Sequence, residues 1–445
     1  MDGSDSIASR EGETSMKCTY ACQQPDHVLA RRRFLGTLAA GMGGVVAGGL
    51  GIFSRPALAA QLAKDQKRVI LFNMHGGLSQ LESWDPKPGT DTGGPFRAIP
   101  TSVPGIHLSE LLPYTAQQMH HLCIARGVNT SEDDHGKGAY MMVTGRREMP
   151  GADYPKVGAV FAKALASDAS ALPGHILIAP WGGGSRGNDA AYLGPNFSSI
   201  SLGNGNPPAN TARPESIPQA SDDARNDFRR KVNEKFLTRR RTAITDAYTH
   251  SYEQALGLMR ERDAFDVTKE SPSDQARYGN HDFGRHCLLA RRLLEKGVSF
   301  IQVIHSNYDT HNENFNFHFE QLGEFDRPFA ALVADLADRG MLDSTLIVVL
   351  SEFGRTPGIN QLYGRDHWSK AWSVLLGGAK IPRGVAYGKT NDRGTEVVDG
   401  QVDHANLFHT YLQAVGIDSL GNFQVDGREM PIADPASKPI QALLG

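Results

Sequence analysis

The chain has 445 residues, with 46 Lys or Arg against 49 Asp or Glu and 16 His, a formal net charge of −3. A weakly acidic chain without basic blocks offers a nucleic-acid backbone no electrostatic footprint, so nucleic acid is not an expected partner. Of the four cysteines, Cys18 and Cys22 fall in the leading segment, and the two that remain in a chain this long do not make a disulfide framework.

The first segment is an address rather than a fold. Arg31-Arg32-Arg33-Phe34-Leu35 precedes an apolar, glycine-rich stretch from Gly36 to Phe53, and Ala57-Leu58-Ala59 before Ala60 has the small side chains of a cleavage site. We read residues 1–59 as a twin-arginine signal peptide, which implies export through the twin-arginine translocation machinery to the periplasm or cell surface. An uncleaved anchor suits the length of the stretch but not its glycines. Cleavage removes six Lys or Arg and five Asp or Glu, which leaves 40 against 44. It also removes Cys18 and Cys22, so that Cys123 and Cys287 remain and one bridge between them is open.

From residue 60 to residue 445 strand-like and helix-like segments alternate. Short β-type runs are expected at 68–74, 122–125, 175–179, 298–304, 346–350 and 372–376, and helices at 154–166, 281–296, 317–339 and 406–415. This predicts an α/β fold with a mostly parallel sheet covered on both faces. Residues 196–221, rich in Pro, Asn, Gly and Ser, are expected to form a long loop. Residues 222–262 are charged and periodic in Phe228, Val232, Phe236, Ile244, Tyr248 and Leu256. They predict one long helix or a helical pair inserted into the domain, a scaffold or a contact through which the protein oligomerises.

Side chains suited to metal binding follow the ends of the apolar runs, and open α/β sheets gather ligands at the carboxyl ends of their strands. After the first run, His75-Gly76-Gly77-Leu78-Ser79 places an imidazole at the strand end, and its two glycines permit close backbone approach. His75 is a candidate ligand, and Ser79 is either a nucleophile or a helix cap. Asp309 and His311 are two apart, so on an extended segment they leave from one side. Glu352, Asp366 and His367 complete a carboxylate and imidazole set that suits zinc best, with manganese, magnesium or calcium as alternatives to it. The competing reading is a salt-bridge network in which Arg355 and Arg365 neutralise these acids.

The segment Phe325-Asp-Arg-Pro-Phe-Ala-Ala-Leu-Val-Ala-Asp-Leu-Ala-Asp-Arg-Gly340, followed by Asp343-Ser-Thr-Leu-Ile-Val-Val-Leu-Ser-Glu-Phe-Gly354, resembles the helix, glycine, strand and metal turn of sulfatases. His135-Gly-Lys-Gly-Ala-Tyr-Met-Met-Val-Thr-Gly145 resembles their nucleophile helix, and 367–390 the late His-bearing segment of alkaline phosphatases. Within that superfamily the chain is similar to the exported bacterial family called domain of unknown function 1501. The elements that carry this are His75-Gly-Gly, Trp84-Asp-Pro-Lys-Pro88, Arg277-Tyr-Gly279, Leu288-Leu-Ala-Arg-Arg292, Tyr308-Asp-Thr-His311, Ser351-Glu-Phe-Gly-Arg-Thr-Pro357 and Gly364-Arg-Asp-His-Trp368.

The resemblance implies an alkaline-phosphatase-like three-layer sandwich and a metal-dependent hydrolase of sulfate or phosphate esters, acting on a small-molecule or polysaccharide ester. It places His75 and Glu352 where relatives carry metal-binding Asp, Phe353 where they carry a further ligand, and His135 at the nucleophile position. Three mechanisms follow: attack by His135, attack by a metal-activated water with His135 as acid or base, or attack by Ser79. Arg355 is expected to grip the substrate's equatorial oxygens in a fork. The reading from another class is an exported binding protein for sulfated or phosphorylated polymers that has lost turnover.

Overall fold

The computed structural model describes residues 65–165, 171–181, 184–185, 188–237, 243–425 and 427–445. The signal segment, with Cys18 and Cys22, lies outside the described residues. Among the described residues one sheet contains β1 (Arg68–Met74), β2 (Leu122–Val128), β3 (His175–Ala179), β4 (Gly184–Ser185), β5 (Ile200–Gly203), β6 (Phe300–His305), β7 (Thr345–Leu350), β8 (Trp372–Gly377) and β9 (Val385–Tyr387). Their spatial order is β9-β2-β8-β7-β1-β6-β3-β5-β4. The run β7-β1-β6-β3-β5 is parallel throughout, with Ile70 of β1 in register between Ile301 and Ile347.

β8 runs antiparallel to both β2 and β7. A parallel neighbour needs a crossover of a dozen or more residues, usually a helix. The chain between Leu350 and Trp372 forms no helix and holds only the small antiparallel ribbon Gly354–Arg355 with His367–Trp368. It stays at one edge of the sheet and turns back, which keeps this whole segment at the carboxyl ends of the parallel strands.

Helices cover both faces. The longer helices are α1 (His135–Thr144), α2 (Val157–Ala164), α3 (Gln219–Leu237), α4 (Ala243–Arg260), α5 (Asp282–Glu295), α6 (Asn314–Asp338) and α7 (His404–Ala414), of which α2, α5, α6 and α7 contribute most to the two cores. Alternate residues of a strand point to opposite faces, and β1 divides accordingly. Ile70, Phe72 and Met74 enter a core with Phe283, Phe325 and Phe329 of α5 and α6. Val69 and Leu71 enter a second core with Val160 and Phe161 of α2 and Phe408 and Tyr411 of α7. Three layers result. Cys287 belongs to the first core and Cys123 to the second, and both are free thiols.

One expectation needs correction, and one of two alternatives is resolved. The stretch expected as a loop at 196–221 contains β5, too short a buried run for its period to be read, and the first turn of α3. The segment at 222–262 is a pair of helices, α3 and α4, with Phe228, Val232 and Phe236 exposed on the first. No helix among the described residues is long and apolar enough to cross a membrane.

Buried histidines give this fold a predicted acid limit. His318 of α6 is fully buried, donates from Nδ1 to the Asn314 carbonyl and accepts the Ser79 N–H on Nε2. His286 of α5 contacts Asn204 Oδ1 at 3.1 Å. Burial lowers both rings to about 4, in His318 against the opposing pull of Glu82. A folded-state value below the unfolded one means that the unfolded chain binds more protons in between, so stability is complete above about pH 6.5 and is lost as the pH falls toward about 4. Urea unfolding at pH 5 is expected to show about 2 kcal/mol less stability per ring than at pH 7. A flat profile across that interval contradicts this.

Candidate metal centre

Three adjacent parallel strands, β7, β1 and β6, end at the same edge, and the segments that leave them build the site. Ser351, just past β7, donates from Oγ to the Met74 carbonyl at 2.6 Å and accepts the N–H groups of Gly77 and Leu78 at 3.1 Å each. This clamps the turn after β1. Gly76 has φ +117°, and a Cβ there would lie 2.5 Å from the Asp309 nitrogen. Only glycine lets the two loops touch. Gly76→Ala is therefore expected to cost about 2–4 kcal/mol in urea unfolding and to weaken metal binding by moving Asp309; unchanged values of both contradict the packing described.

Asp309 is the focus. Arg355 Nη2 donates to its Oδ1 at 2.7 Å, His311 Nε2 lies 3.1 Å and His367 Nε2 3.3 Å from the same oxygen, and His135 Nε2 lies 3.4 Å from Oδ2. Partial burial pushes the Asp309 carboxyl up, but Arg355, His135 and His311 outweigh it and hold it down at about 2. It is a carboxylate.

The opposite nitrogen of every imidazole is bonded to an oxygen that can only accept. His135 Nδ1 lies 2.8 Å from Glu352 Oε1, His311 Nδ1 2.7 Å from Asp366 Oδ1, and His367 Nδ1 2.7 Å from the Asp133 carbonyl. A carbonyl and two carboxylates oblige each Nδ1 to donate, which turns each Nε2 lone pair inward. His311 and His367 then face each other with Nε2 atoms 2.9 Å apart. Two neutral rings in these tautomers repel, so the arrangement requires a cation among them or a proton on one ring.

The dimensions fit an ion. Ligand atoms about 2.0–2.1 Å from a tetrahedral centre are about 3.3 Å from one another; the three contacts of Asp309 with His311, His367 and His135 and the contact between His311 and His367 run from 2.9 to 3.4 Å, while His311 stands outside the tighter set of His135, Asp309 and His367. One ligand atom each from His135, Asp309 and His367 falls within 4.8 Å of the others. Acceptors behind the imidazoles complete the pattern, since metal-binding histidines commonly donate their second N–H to a carboxylate or carbonyl.

Each ring is placed by local structure. Asp134 caps α1 by accepting the Lys137 N–H, so His135 is the first residue of that helix. His367 pairs with Arg355 in the ribbon. Phe353 is buried with its ring 4.4 Å from His367 and 4.8 Å from His135, an apolar floor that cannot ligate.

The sequence candidates separate into four groups. Asp309, His311 and His367 come together, and His135 joins them with a ring nitrogen turned inward. Glu352 is 2 % exposed and committed to the Gly76 N–H, Ser351 Oγ and His135, and Asp366 stands behind His311, so these two hold ligand rings. His75 is exposed, its ring 6.5 Å from that of His135 and outside the convergent set. Ser79 and Arg355 are both 0 % exposed.

Those last two positions correct the chemistry expected of them. Burial keeps any substrate from the Ser79 hydroxyl, so attack by Ser79 is set aside. Arg355 spends its donors on the carbonyls of Gly76, Gly77 and Arg365 and on Asp309, which leaves no fork for substrate oxygens. It positions Asp309. Gln80, which the sequence reading gave no role, fixes Arg355 by donating to its carbonyl at 2.9 Å and accepting its N–H at 3.0 Å. The salt-bridge alternative is half present: Arg355 pairs with Asp309, whereas Arg365 pairs with buried Glu82.

A three-layer α/β domain with a cluster of imidazole and carboxylate side chains at the carboxyl edge of a mostly parallel sheet is the class that this fold and site define. The chain belongs to the family described as "Protein of unknown function (DUF1501)", whose family model matches residues 66–444. Solved structures of the alkaline phosphatase and sulfatase superfamily align with it. The lipoteichoic acid synthase LtaP from Listeria monocytogenes is 9 % identical over 90 % of this chain and 81 % of its own, with a TM-score of 0.37. A protein in the alkaline phosphatase superfamily from Vibrio parahaemolyticus is 12 % identical over 92 % and 79 %, TM-score 0.34. The PsFucS1 sulfatase from Pseudoalteromonas sp. is 12 % identical over 84 % and 75 %, TM-score 0.36. At such scores no residue role is carried over from them. No curated protein is a significant sequence match.

Proposed function

We propose that this protein is a metal-dependent hydrolase of sulfate or phosphate esters, exported by the twin-arginine route, with His135, Asp309, His311 and His367 as the ligands of a divalent ion. The observation that carries this reading is the convergence of three Nε2 atoms on one carboxylate, each imidazole held from behind by an oxygen acceptor. Three imidazoles and one carboxylate favour zinc over magnesium or calcium, which prefer all-oxygen shells. Manganese stays compatible. The ester class follows from the sequence resemblance.

A bound divalent ion supplies Lewis acidity toward an ester oxygen and acidifies water. The chain's own residues define the rest. Arg355 keeps Asp309 ionised and aimed, and Glu352 keeps the His135 proton on Nδ1. With His135 turned inward as a ligand and Ser79 buried, neither nucleophile suggested by the sequence is placed to attack, and in this reading water is the nucleophile. A single displacement by water inverts the configuration at a chiral phosphorus, whereas a protein nucleophile would retain it through two displacements.

The test is metal analysis of the purified protein, followed by aryl sulfate, phosphate monoester and phosphodiester substrates. Stoichiometric metal with turnover that disappears in His135→Ala together with the metal supports the reading. Bound metal without turnover of any ester favours the non-enzymatic binder, and turnover unaffected by chelation contradicts a metal-dependent reaction.

A further inference from the structure

We infer that Leu362 and Tyr363 form an apolar ledge beside the metal centre that takes the aryl or alkyl portion of the substrate, an inference that rests on the proposed hydrolase reading. The two side chains are 64 % and 68 % exposed. The loop meets the start of α6 through backbone bonds from Glu313 N–H to the Leu362 carbonyl and from Asn314 N–H to the Tyr363 carbonyl. Single exposed apolar residues need no explanation, but two large ones side by side on a loop bonded to the His311 carbonyl do.

The ledge is rigid and tied to the centre. Asn360 accepts the N–H groups of Leu362 and Gly364 at 2.9 Å each and donates to the His311 carbonyl at 2.9 Å. A Cβ on Gly364 would lie 1.9 Å from that same carbonyl oxygen, so the turn is pressed against His311. Two residues later the chain supplies Asp366 and then His367. One short loop thus carries both ends of the arrangement.

Tyr363 has φ +55°, the left-handed region that a bulky side chain rarely adopts. The ring gains little packing from it at 68 % exposure. The turn closed by Asn360 holds this conformation, with the Tyr363 N–H bonded to the Asn360 carbonyl, and keeps the ring outward on the loop that leads to Asp366 and His367. The loop is bonded to the His311 carbonyl, so in this inference the apolar portion of a substrate whose charged ester group sits among the imidazoles covers Leu362 and Tyr363.

Binding of non-hydrolysable analogues to the zinc-loaded protein tests this without turnover. Naphthylphosphonate is expected to bind about tenfold more tightly than methylphosphonate, and Leu362→Ser with Tyr363→Ser should abolish that difference while zinc content and methylphosphonate affinity stay as they were. Tyr363→Phe should preserve the difference. Equal affinities in the wild type, absence of binding by either analogue, or a preference that survives the double serine variant overturns the ledge. Loss of dimerisation or of binding to phosphatidylcholine vesicles in the serine variant, with analogue affinities unchanged, also overturns it by assigning the residues to another partner. An aryl preference in a protein that hydrolyses no ester leaves the ledge standing and removes the hydrolase; turnover without aryl preference does the reverse.

Discussion

His367→Ala is expected to lower zinc affinity by about a hundredfold or more and to abolish ester hydrolysis with it, while the metal-free protein loses only about 1–2 kcal/mol of stability. The asymmetry follows from what the ring touches. Its Nδ1 reaches only the Asp133 carbonyl, its Nε2 faces Asp309 and His311, and its face lies on Phe353. Removing it strands no buried charge, because Asp309 keeps Arg355. Competition with a fluorescent zinc chelator reads the affinity and urea unfolding of the metal-free protein reads the stability. An unchanged affinity would show that the ring only packs.

The largest loss of stability is predicted for Arg365→Ala, at about 3–5 kcal/mol. Arg365 and Glu82 are both 0 % exposed at a separation of 2.8 Å, and Glu82 has one further partner in Asn314 Nδ2 at 3.0 Å. Burial pushes the Glu82 carboxyl up, and the charge and hydrogen bond of Arg365 do most to offset it and hold the group below its ordinary value. Without the guanidinium a carboxylate is left in the interior or must take up a proton. Arg365 also donates to the carbonyls of Thr92 and Thr356, so its loss frees the loop that carries Asp366 and His367. Unfolding and zinc affinity should therefore weaken together. In Glu82→Leu with Arg365→Met, where no charge is left unpaired, much of the stability should return. A single alanine variant as stable as the parent contradicts the account of this pair.

The layers were legible because β1, β6 and β7 are continuous apolar runs, and their ends led directly to Asp309, His311 and Glu352. The antiparallel course of β8 was not legible, since it depends on the missing crossover between Leu350 and Trp372 rather than on any feature of Trp372-Ser-Val-Leu-Leu-Gly377. At the site, residue type pointed to the right neighbourhood but not to the direction of each side chain. Glu352 and Asp366 have the chemistry of ligands and serve as acceptors behind them, a distinction of a few ångströms that spacing does not encode. His135 was assigned from a resemblance to a nucleophile helix, and its ring nitrogen is turned to Asp309 by the Glu352 bond across more than two hundred residues. The Asp133 carbonyl behind His367 is a backbone group and leaves no mark in a pattern of side chains. Asn360 gave no signal either, because its importance lies in three backbone contacts.

The most direct measurement of the central claim is X-ray absorption at the zinc edge of the purified, zinc-loaded protein and of its His135→Ala variant. The geometry predicts three imidazole nitrogens and at least one carboxylate oxygen at about 2.0–2.1 Å, with one imidazole fewer in the variant. A protein that takes up no stoichiometric ion when zinc is supplied, or an imidazole count that His135→Ala leaves unchanged, would contradict it.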